Sequence, residues 1–428
     1  MMAGGGLSML LALALAKRGM RVAVFDRRTA GAAHREWNAS ARELGALVAG
    51  GIASEEELRE LIVASYRDGF CRWHGGGTYR VSRVLDRAVD AGGLLSLVRA
   101  RCEAKGVAVF DDHALVGHAS GPDAIAMRFR SRAGAAREVT AKVLVDARGA
   151  ASPSATADLS CPTVGGVIEG IAEGGAADEV DPSVGEILVT TEGIVDGRQH
   201  IWEAFPTGPG RTAVYLFYYD LATRVGDGSL LSLYARFFEQ LPRFKKGSHA
   251  LVRPTFGYIP GWSRMSPAPS APSPRVVLVG DAASRHSPLT FCGFGATLRS
   301  FSPAAEKIAA AIGNGTERDL GVVVHDAAIH ACTGALAKMV AAAPQEPARA
   351  GELNALLDAA FATLHELGDD TFGALLRDEM TVPDFVRFLH RTSVKHPRVY
   401  RDVMRVMGAA GLSRWTFGVA RGLLGATP

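Results

Sequence analysis

The chain has little of what marks a secreted, metal-binding or membrane-spanning protein. Its five cysteines show no CxxC pattern and no other metal-ligand spacing. An odd, scattered set of cysteines is typical of reduced thiols in a cytosolic protein. No apolar run approaches the roughly 18–20 residues that a membrane helix needs. We therefore expect a cytoplasmic protein without a metal site.

The chain also lacks a strong excess of positive or negative charge. The chain of 428 residues carries 47 Lys and Arg against 44 Asp and Glu, for a net charge of +3. This balance argues against a nucleic-acid partner. There is no internal repeat, and the length suits two closely connected domains with a sizeable core.

The most informative stretch that is present begins with a short strand. Residues 276–279 form a β-branched run, which predicts a buried strand. Gly280 and Asp281 end it abruptly. An Asp at the end of a buried strand can accept hydrogen bonds from the alcohol groups of a sugar chain.

A helix is predicted just beyond that Asp. A turn at Pro288 is followed by Gly293 and Gly295, which open an alanine- and leucine-containing segment. Backbone N–H groups at a helix start can face an electron-rich ring. An ordinary strand-turn-helix is the simpler interpretation, but the full spacing favours a site for the ribityl chain and pyrimidine edge of FAD.

A second glycine turn lies at the start of the chain. Gly4 and Gly6 precede an apolar helix, and the next predicted strand ends in Asp26. This is the second half of a βαβ dinucleotide unit, in which the carboxylate receives ribose hydroxyls. Met9 replaces the third glycine of the fingerprint. Together with Gly280 and Asp281, the turn predicts a single FAD cradle.

The first strand of that unit is nearly absent. Only three residues precede Gly4, whereas a central strand usually has about five. We expect several further apolar residues before Met1 in the native gene product.

The chain divides into four predicted parts. Residues 1–150 form the first part of a Rossmann-like FAD-binding domain, in which Asp146 ends a second strand that contacts the adenylate. Residues 151–265 form an inserted antiparallel β-sheet substrate domain, because short Trp- and Tyr-rich strands alternate with tight turns there. Residues 275–320 return to the FAD-binding domain, and 321–428 form a helical C-terminal region. The fold class is α/β.

Local patterns predict further elements. Residues 27–53 are expected to be a loop-rich excursion, and a capping box at Ser54 starts a helix that runs to about Tyr66. The tail is predicted to hold several helices, over residues 303–313, 320–343, 350–367, 369–379, 382–392 and 398–422.

Several segments resemble one family of flavoproteins. They are Arg35-Glu-Trp-Asn38, Arg198-Gln-His-Ile-Trp-Glu-Ala-Phe-Pro206, Arg253-Pro-Thr-Phe-Gly257 and Ser287-Pro-Leu-Thr-Phe-Cys-Gly-Phe-Gly295. The order of elements resembles the p-hydroxybenzoate hydroxylase-like superfamily, and these segments resemble its FAD-dependent lycopene cyclases, in particular the CruA/CruP-type branch. The shortened first strand and Met9 depart from the family pattern.

The resemblance implies a redox-neutral cyclisation of linear carotene ends. An acid protonates a terminal alkene, the ring closes, and a proton leaves, with reduced FAD beside the cation. NAD(P)H is a candidate electron source, and the expected substrate is a carotenoid or another polyene.

Glu203 is the predicted catalytic acid. It is the only carboxylate of its strand, between Trp202 and Phe205, where loss of water would favour the protonated form. A salt bridge to Arg198 or Arg211 is an equally favoured interpretation. The predicted walls of the substrate pocket are aromatic, namely Trp202, Phe205, Tyr215, Phe217 and Phe256. Asp220 and Glu192 are weaker candidates, expected to be solvated at strand ends.

Two other functions stay open. One is a flavin monooxygenase or prenyl (geranylgeranyl) reductase on the same scaffold, and the other is a non-catalytic carotenoid- or flavin-binding paralogue. The last helices carry many arginines among apolar residues. This pattern favours a peripheral contact with the cytoplasmic face of the membrane over a merely solvated basic face.

Overall fold

The computed structural model describes residues 1–33, 36–226, 229–261, 271–284, 289–290, 293–321, 337, 340–341, 351–401, 404, 409–410, 412–413 and 416–417. Over these residues the chain has a mixed α/β fold with a parallel Rossmann-like sheet, further sheets with mainly antiparallel pairing and helices near the C-terminus. The predicted fold class is confirmed.

Strands and helices alternate irregularly along the chain. The strands are β1 (Met2–Ala3), β2 (Ala23–Phe25), β3 (Trp37–Ala39), β4 (Ile62–Ser65), β5 (Asp68–Arg72), β6 (Thr78–Ser82), β7 (Arg87–Val89), β8 (Ala108–Phe110), β9 (His113–Ser120), β10 (Ile125–Ser131), β11 (Ala136–Ala141), β12 (Leu144–Asp146), β13 (Leu159–Ile171), β14 (Val184–Val189), β15 (Ile201–Gly208), β16 (Arg211–Phe217), β17 (Asp220–Leu221), β18 (Gly247–Gly261) and β19 (Val276–Leu278). The α-helices are α1 (Met9–Lys17), α2 (Ala41–Ala49), α3 (Glu55–Leu61), α4 (Ala91–Ala104), α5 (Ser229–Phe244), α6 (Gly293–Asn314), α7 (Glu352–Leu367), α8 (Asp369–Leu376) and α9 (Val382–Lys395).

The parallel sheet has the strand order β19–β12–β1–β2–β8. Strand β1 has only two residues, yet it is central: Met2 pairs with Val24 on one side and with Val145 on the other. Helices α1, α4 and α6 cover one face of the sheet, and the small sheet β9–β10–β11 covers the opposite face. The sheet is therefore buried on both faces, which explains the continuous apolar runs of its strands.

Residues 27–53, predicted as a loop-rich excursion, include regular structure that the sequence analysis did not predict. They contain β3 and α2, and α2 begins with a capping box in which the Glu43 carboxylate accepts from the Ser40 N–H at 2.9 Å. The predicted helix from Ser54 is also too long. It ends at Leu61, because the β-branched residues that follow form β4, which pairs with β7.

The largest sheet has eight strands. Its order is β17–β13–β16–β15–β14–β5–β6, and β18 adds to β13. Most pairs are antiparallel, while β14 and β5 run parallel. Strands β5 and β6 come from residues 68–82, so this sheet uses chain from before residue 151 as well as from the predicted segment 151–265.

The two faces of the large sheet belong to different cores. Ile201, Phe205, Tyr215 and Phe217 face one core, which also includes residues of α7, α8 and α9. The residues that alternate with them face α5, as Trp202 does. Alternation along each strand therefore separates aromatic residues that are neighbours in sequence.

The C-terminal region is helical where it is described. Helices α7, α8 and α9 agree closely with the predicted ranges. Helix α6 begins at Gly293, where the sequence predicted a helix start, and continues through the range 303–313 that was predicted as a separate helix. The predicted helices over 320–343 and 398–422 lie mostly outside the described residues. None of the helices in the described part of the chain is both long and apolar enough to cross a membrane.

Candidate functional site

The turn after β1 requires glycine at its first position. Gly4 has φ +109°, and a Cβ there would lie 2.2 Å from the carbonyl oxygen of Ala147. Its N–H donates to the carbonyl of Phe25 at 2.8 Å, which ties the turn to β2. At Gly6, a Cβ would meet no atom of the described residues within 4 Å. Gly4 is thus needed by the fold, while Gly6 borders open space.

Asp26 closes the same turn from the end of β2. Its carboxylate accepts from the backbone N–H groups of Gly5 at 2.6 Å and Arg28 at 2.7 Å. A carboxylate offers about four acceptor positions, so capacity remains for the hydroxyls of a ribose. Met9, in place of the third glycine, is fully buried at the start of α1.

Asp146 binds the loop that follows its own strand. It ends β12 at the expected edge, but it is only 2% exposed. Arg148 donates to both carboxylate oxygens (Nε at 3.0 Å, Nη2 at 2.7 Å), and the Ser152 hydroxyl donates at 2.7 Å. Burial alone would raise the pKa of Asp146, but these hydrogen bonds outweigh it and lower the pKa. The carboxylate thus holds its own loop, and its predicted contact with the adenylate stays a prediction.

Gly280 and Asp281 begin a short 3-10 helix directly after β19. Asp281 borders a small cavity of about 70 Å³. The Ser284 hydroxyl, also at this cavity, accepts from the Thr156 N–H at 2.8 Å. The cavity is lined by Ala150, Ala155, Thr156, Ala157, Pro260, Gly261, Asp281 and Ser284.

The predicted flavin-facing helix is α6, which begins at Gly293. Pro288 lies outside the described residues. At Gly295, a Cβ would lie 2.1 Å from Oε1 of Glu43. That carboxylate is 3% exposed and is paired with Arg299, so Gly295 makes room for a buried ion pair between α2 and α6.

These residues fit FAD as a group. Gly4, Asp26 and Gly280 each follow the carboxyl end of a strand in the parallel sheet. Parallel strands bring those ends to one edge, where nucleotides bind in such folds. The open space at Gly6 and the remaining acceptor capacity of Asp26 suit the pyrophosphate and the ribose of a dinucleotide. Their roles as ligands stay predictions.

Glu203 lies where the large sheet meets the sheet β3–β7–β4. The Asn38 amide donates to Glu203 Oε1 at 3.4 Å. Tyr66, at the end of β4, donates to the Pro206 carbonyl at 2.5 Å. Burial, followed by the negative charges of Glu203 and Asp86, raises the pKa of Tyr66 well above its ordinary value. A carboxyl group thus occurs among aromatic side chains at the junction of these two sheets.

The predicted arginine partners of Glu203 are paired elsewhere. Arg198 Nε lies 3.3 Å from Asp220, and Arg211 Nε lies 2.8 Å from Glu169. Asp220 is 4% exposed, and Glu192 pairs with an arginine of α5, so the expectation that both are solvated is wrong.

The predicted pocket residues do not form one wall. Phe205, Tyr215 and Phe217 share the face of Glu203. Trp202 belongs to the opposite face, where its ring stacks on that of Phe244 with the ring centroids 4.5 Å apart. Phe256 is on that opposite side as well and is 62% exposed. Trp202 and Phe256 are therefore wrong as walls around Glu203, because strand alternation turns them away.

One carboxylate at this junction was not predicted from the sequence. Glu36 is 8% exposed and pairs with Arg253 of β18, and it accepts from the Tyr215 hydroxyl at 3.2 Å. Glu36 and Asn38 flank Trp37, so alternation along the strand places both on one side of it. Only the fold shows which sheet that side faces.

Cysteine and metal chemistry are not evident in the described residues. Cys71, Cys102 and Cys161 are buried thiols, and burial raises their pKa values, that of Cys102 to about 12. Among the described residues there is no cluster of His, Cys, Asp and Glu able to hold a metal ion.

The chain is similar to known flavoproteins. Residues 92–331, more than half of the chain, match the family model described as FAD binding domain. Among curated proteins, none matches the chain. A geranylgeranyl bacteriochlorophyll reductase-like protein from Thermoplasma acidophilum is 17% identical with a TM-score of 0.60, over 95% of this chain and 98% of that one.

Two further solved structures have comparable folds. The p-nitrophenol 4-monooxygenase from Pseudomonas putida is 16% identical with a TM-score of 0.57, over 88% of this chain and 97% of its own. A mutant of the halogenase PltM in complex with FAD is 12% identical with a TM-score of 0.62, over 100% and 92%. At these identities the similarity shows the fold alone. By the match over more than half of its length, the chain belongs to the FAD binding domain family, with the fold of FAD-dependent monooxygenases, halogenases and reductases.

Proposed function

We propose that the protein is an FAD-dependent cyclase of a linear polyene such as lycopene, with Glu203 as the acid. The supporting observation is the position of Glu203 on a face that carries Phe205, Tyr215 and Phe217, where the large sheet meets the sheet β3–β7–β4. It is the only carboxylate of β15. An acid in apolar surroundings retains its proton, as alkene protonation requires.

The reaction is redox-neutral. Glu203 gives its proton to a terminal alkene, the cation is attacked by a second alkene to close the ring, and a neighbouring C–H proton leaves. Reduced FAD, when bound, would supply an electron-rich ring near the cation. NAD(P)H remains a candidate donor for reducing it.

Aromatic side chains are suited to the cationic stage. Tyr215 and Phe217 are buried on the same face as Glu203. Each ring face can stabilise a nearby cation by about 1–2 kcal/mol when water is excluded. The same side chains would also bind an apolar polyene.

Expression in a lycopene-accumulating host tests this proposal. The Glu203→Gln protein should keep its FAD but form about 100-fold or more less cyclic product, because only the proton donor is removed. Glu169→Gln is the matched control, since Glu169 is a half-exposed carboxylate of the same sheet, paired with Arg211. Pigment analysis and the FAD content of both proteins are measured. A fully active Glu203→Gln protein would contradict the assignment.

The fold similarity to a geranylgeranyl reductase-like protein supports a second candidate, a prenyl reductase or flavin monooxygenase. That function requires NADPH oxidation that depends on a substrate. A stoichiometric loss of NADPH with reduced or hydroxylated product would favour it over cyclisation. Bound pigment without any turnover would instead favour a non-catalytic paralogue.

A further inference from the structure

Two pairs of side chains face each other where the large sheet meets the sheet β3–β7–β4. Glu36 and Asn38 belong to one side, and Glu203 and Tyr215 are cross-strand partners on β15 and β16. The Asn38 amide contacts Glu203 at 3.4 Å, and the Tyr215 hydroxyl contacts Glu36 at 3.2 Å. Tyr215, the cross-strand neighbour of Glu203, therefore links Glu203 to Glu36.

The surroundings of Glu36 favour a charged carboxylate. Glu36 pairs with the Arg253 guanidinium and accepts a hydrogen bond from Tyr215. A cation and a hydroxyl donor both favour the charged form of a carboxylate. A carboxylate that is held in its charged form and is hydrogen-bonded to a neighbour of the proposed acid is suited to the role of base.

We propose that Glu36 is the base of the reaction and receives, through the Tyr215 hydroxyl, the proton that leaves the cyclised cation. This inference rests on the proposed cyclase function. The sequence pattern indicated an acid only, so the base is a new assignment.

The step balances without an oxidant or reductant. The O–H bond of Glu203 breaks as a C–H bond forms on the terminal alkene, and the π electrons of a second alkene form the ring C–C bond. A C–H bond beside the cation then breaks, and its electrons form the ring alkene. That proton binds the Tyr215 oxygen while the hydroxyl proton passes to Glu36. Exchange with water returns one proton to Glu203 and removes one from Glu36.

Isotope exchange in D2O separates the base from the acid. With purified protein and lycopene, we expect Glu36→Gln to reduce ring formation about 100-fold. Because Glu203 still protonates the alkene reversibly, unreacted lycopene recovered from Glu36→Gln should contain deuterium. Lycopene recovered from Glu203→Gln should contain none. Glu169→Gln, which breaks another Glu–Arg pair of this sheet, should cyclise at the wild-type rate.

The Tyr215→Phe variant separates a loss of catalysis from a folding defect. It keeps the buried ring and removes only the hydroxyl, so its FAD content and melting temperature should match the wild type while ring formation falls. Glu36→Asp should restore part of the activity that Glu36→Gln loses. The pH–rate profile of Glu36→Gln should also lose the limb at low pH that a base produces.

The outcomes distinguish the two proposals. If the wild-type protein forms no ring and labels no lycopene, the proposed function fails. If the wild type cyclises while Glu36→Gln and Tyr215→Phe cyclise equally fast, the assignment of Glu36 is overturned and Glu203 stands. Stable, FAD-containing Glu36→Gln that neither cyclises nor exchanges deuterium also overturns it, because the acid step would then need Glu36.

Discussion

His200 shows, at the scale of single residues, how burial sets a charge state. Its side chain is 6% exposed and makes an edge contact with Tyr218, with ring centroids 5.6 Å apart. Burial, followed by the positive charges of Arg236 and Arg198, lowers the pKa of His200 to about 3. The folded protein therefore holds this imidazole neutral, although an unfolded chain would protonate it near pH 6.5.

This difference predicts a loss of stability in mild acid. Between pH 6.5 and pH 5 the unfolded chain binds a proton at His200 that the folded chain does not, so the free energy of unfolding falls by about 2 kcal/mol. Urea unfolding at pH 7.5 and pH 5 should show a smaller difference for His200→Gln than for the wild type. His74→Gln, at an exposed site, should retain the wild-type difference. Equal pH dependence of His200→Gln and the wild type would contradict the prediction.

Two glycines of the first turn should respond differently to alanine. Gly4→Ala places a Cβ 2.2 Å from a backbone oxygen at φ +109°, so it should destabilise the FAD-free protein by about 2 kcal/mol or more. Gly6→Ala should leave the FAD-free protein within about 0.5 kcal/mol of wild type but weaken FAD binding, because the methyl enters the open space. Thermal unfolding and fluorescence titration with FAD measure the two effects. Unchanged FAD affinity in Gly6→Ala would place the cofactor elsewhere.

At the scale of elements, polar side chains dock α7 on the large sheet. Asp358 accepts from the Gly77 N–H and from the Tyr79 hydroxyl, both at 2.7 Å. One turn earlier, Asn354 is 1% exposed and donates to Gln199 at 2.9 Å. Hydrogen bonds therefore hold the helix on the sheet in addition to its buried apolar residues. Because hydrogen bonds are directional, they fix the position of the helix along the sheet.

Asp358→Ala should therefore destabilise the protein by about 1–3 kcal/mol, since it leaves the Gly77 N–H and the Tyr79 hydroxyl without their acceptor. Asp370→Ala is the matched control, because its side chain is 96% exposed and pairs with Arg83 at the surface. Such a pair contributes at most about 1 kcal/mol. Chemical denaturation compares the variants, and equal losses would refute the docking role of Asp358.

Elements were predictable to the extent that their signals are local. The capping box at Ser54 correctly marked a helix start, and the helices of the tail were found near their predicted bounds. The end of that helix and the strand β4 were missed, because Ile62 and Val63 fit a helix or a strand and pairing with β7 decides between them. A second capping box, at Ser40, was a local signal that went unused.

At the scale of the whole molecule, the chain exposes an apolar and basic surface near its C-terminus. Val394 and Tyr400 are each 66% exposed. Arg391, Lys395 and Arg398 are exposed beside them. We propose that this surface contacts an anionic bilayer, where a carotene substrate would be dissolved, because basic and apolar groups together bind such surfaces.

Flotation with anionic liposomes at low salt tests this contact. Replacing Arg391 and Arg398 with Gln should weaken binding by about 2 kcal/mol, since each basic residue near the surface contributes about 1 kcal/mol. Replacing Arg59 and Arg132, two exposed arginines elsewhere, should change it little. Wild-type protein that stays at the bottom of the gradient would reject the contact.

The sequence by itself determined the FAD-binding fold and the positions of its turns, since a strand, a glycine and a helix follow one another within a few residues at Gly4 and at Gly280. Only the tertiary structure decided what surrounds each side chain. It turned Trp202 away from Glu203, enclosed Asp146 between Arg148 and Ser152, assigned Gly295 to packing on Glu43, and brought Glu36 to Tyr215. The physical reason is that alternation along a strand shows which residues share a face, while contacts between distant segments decide what that face meets.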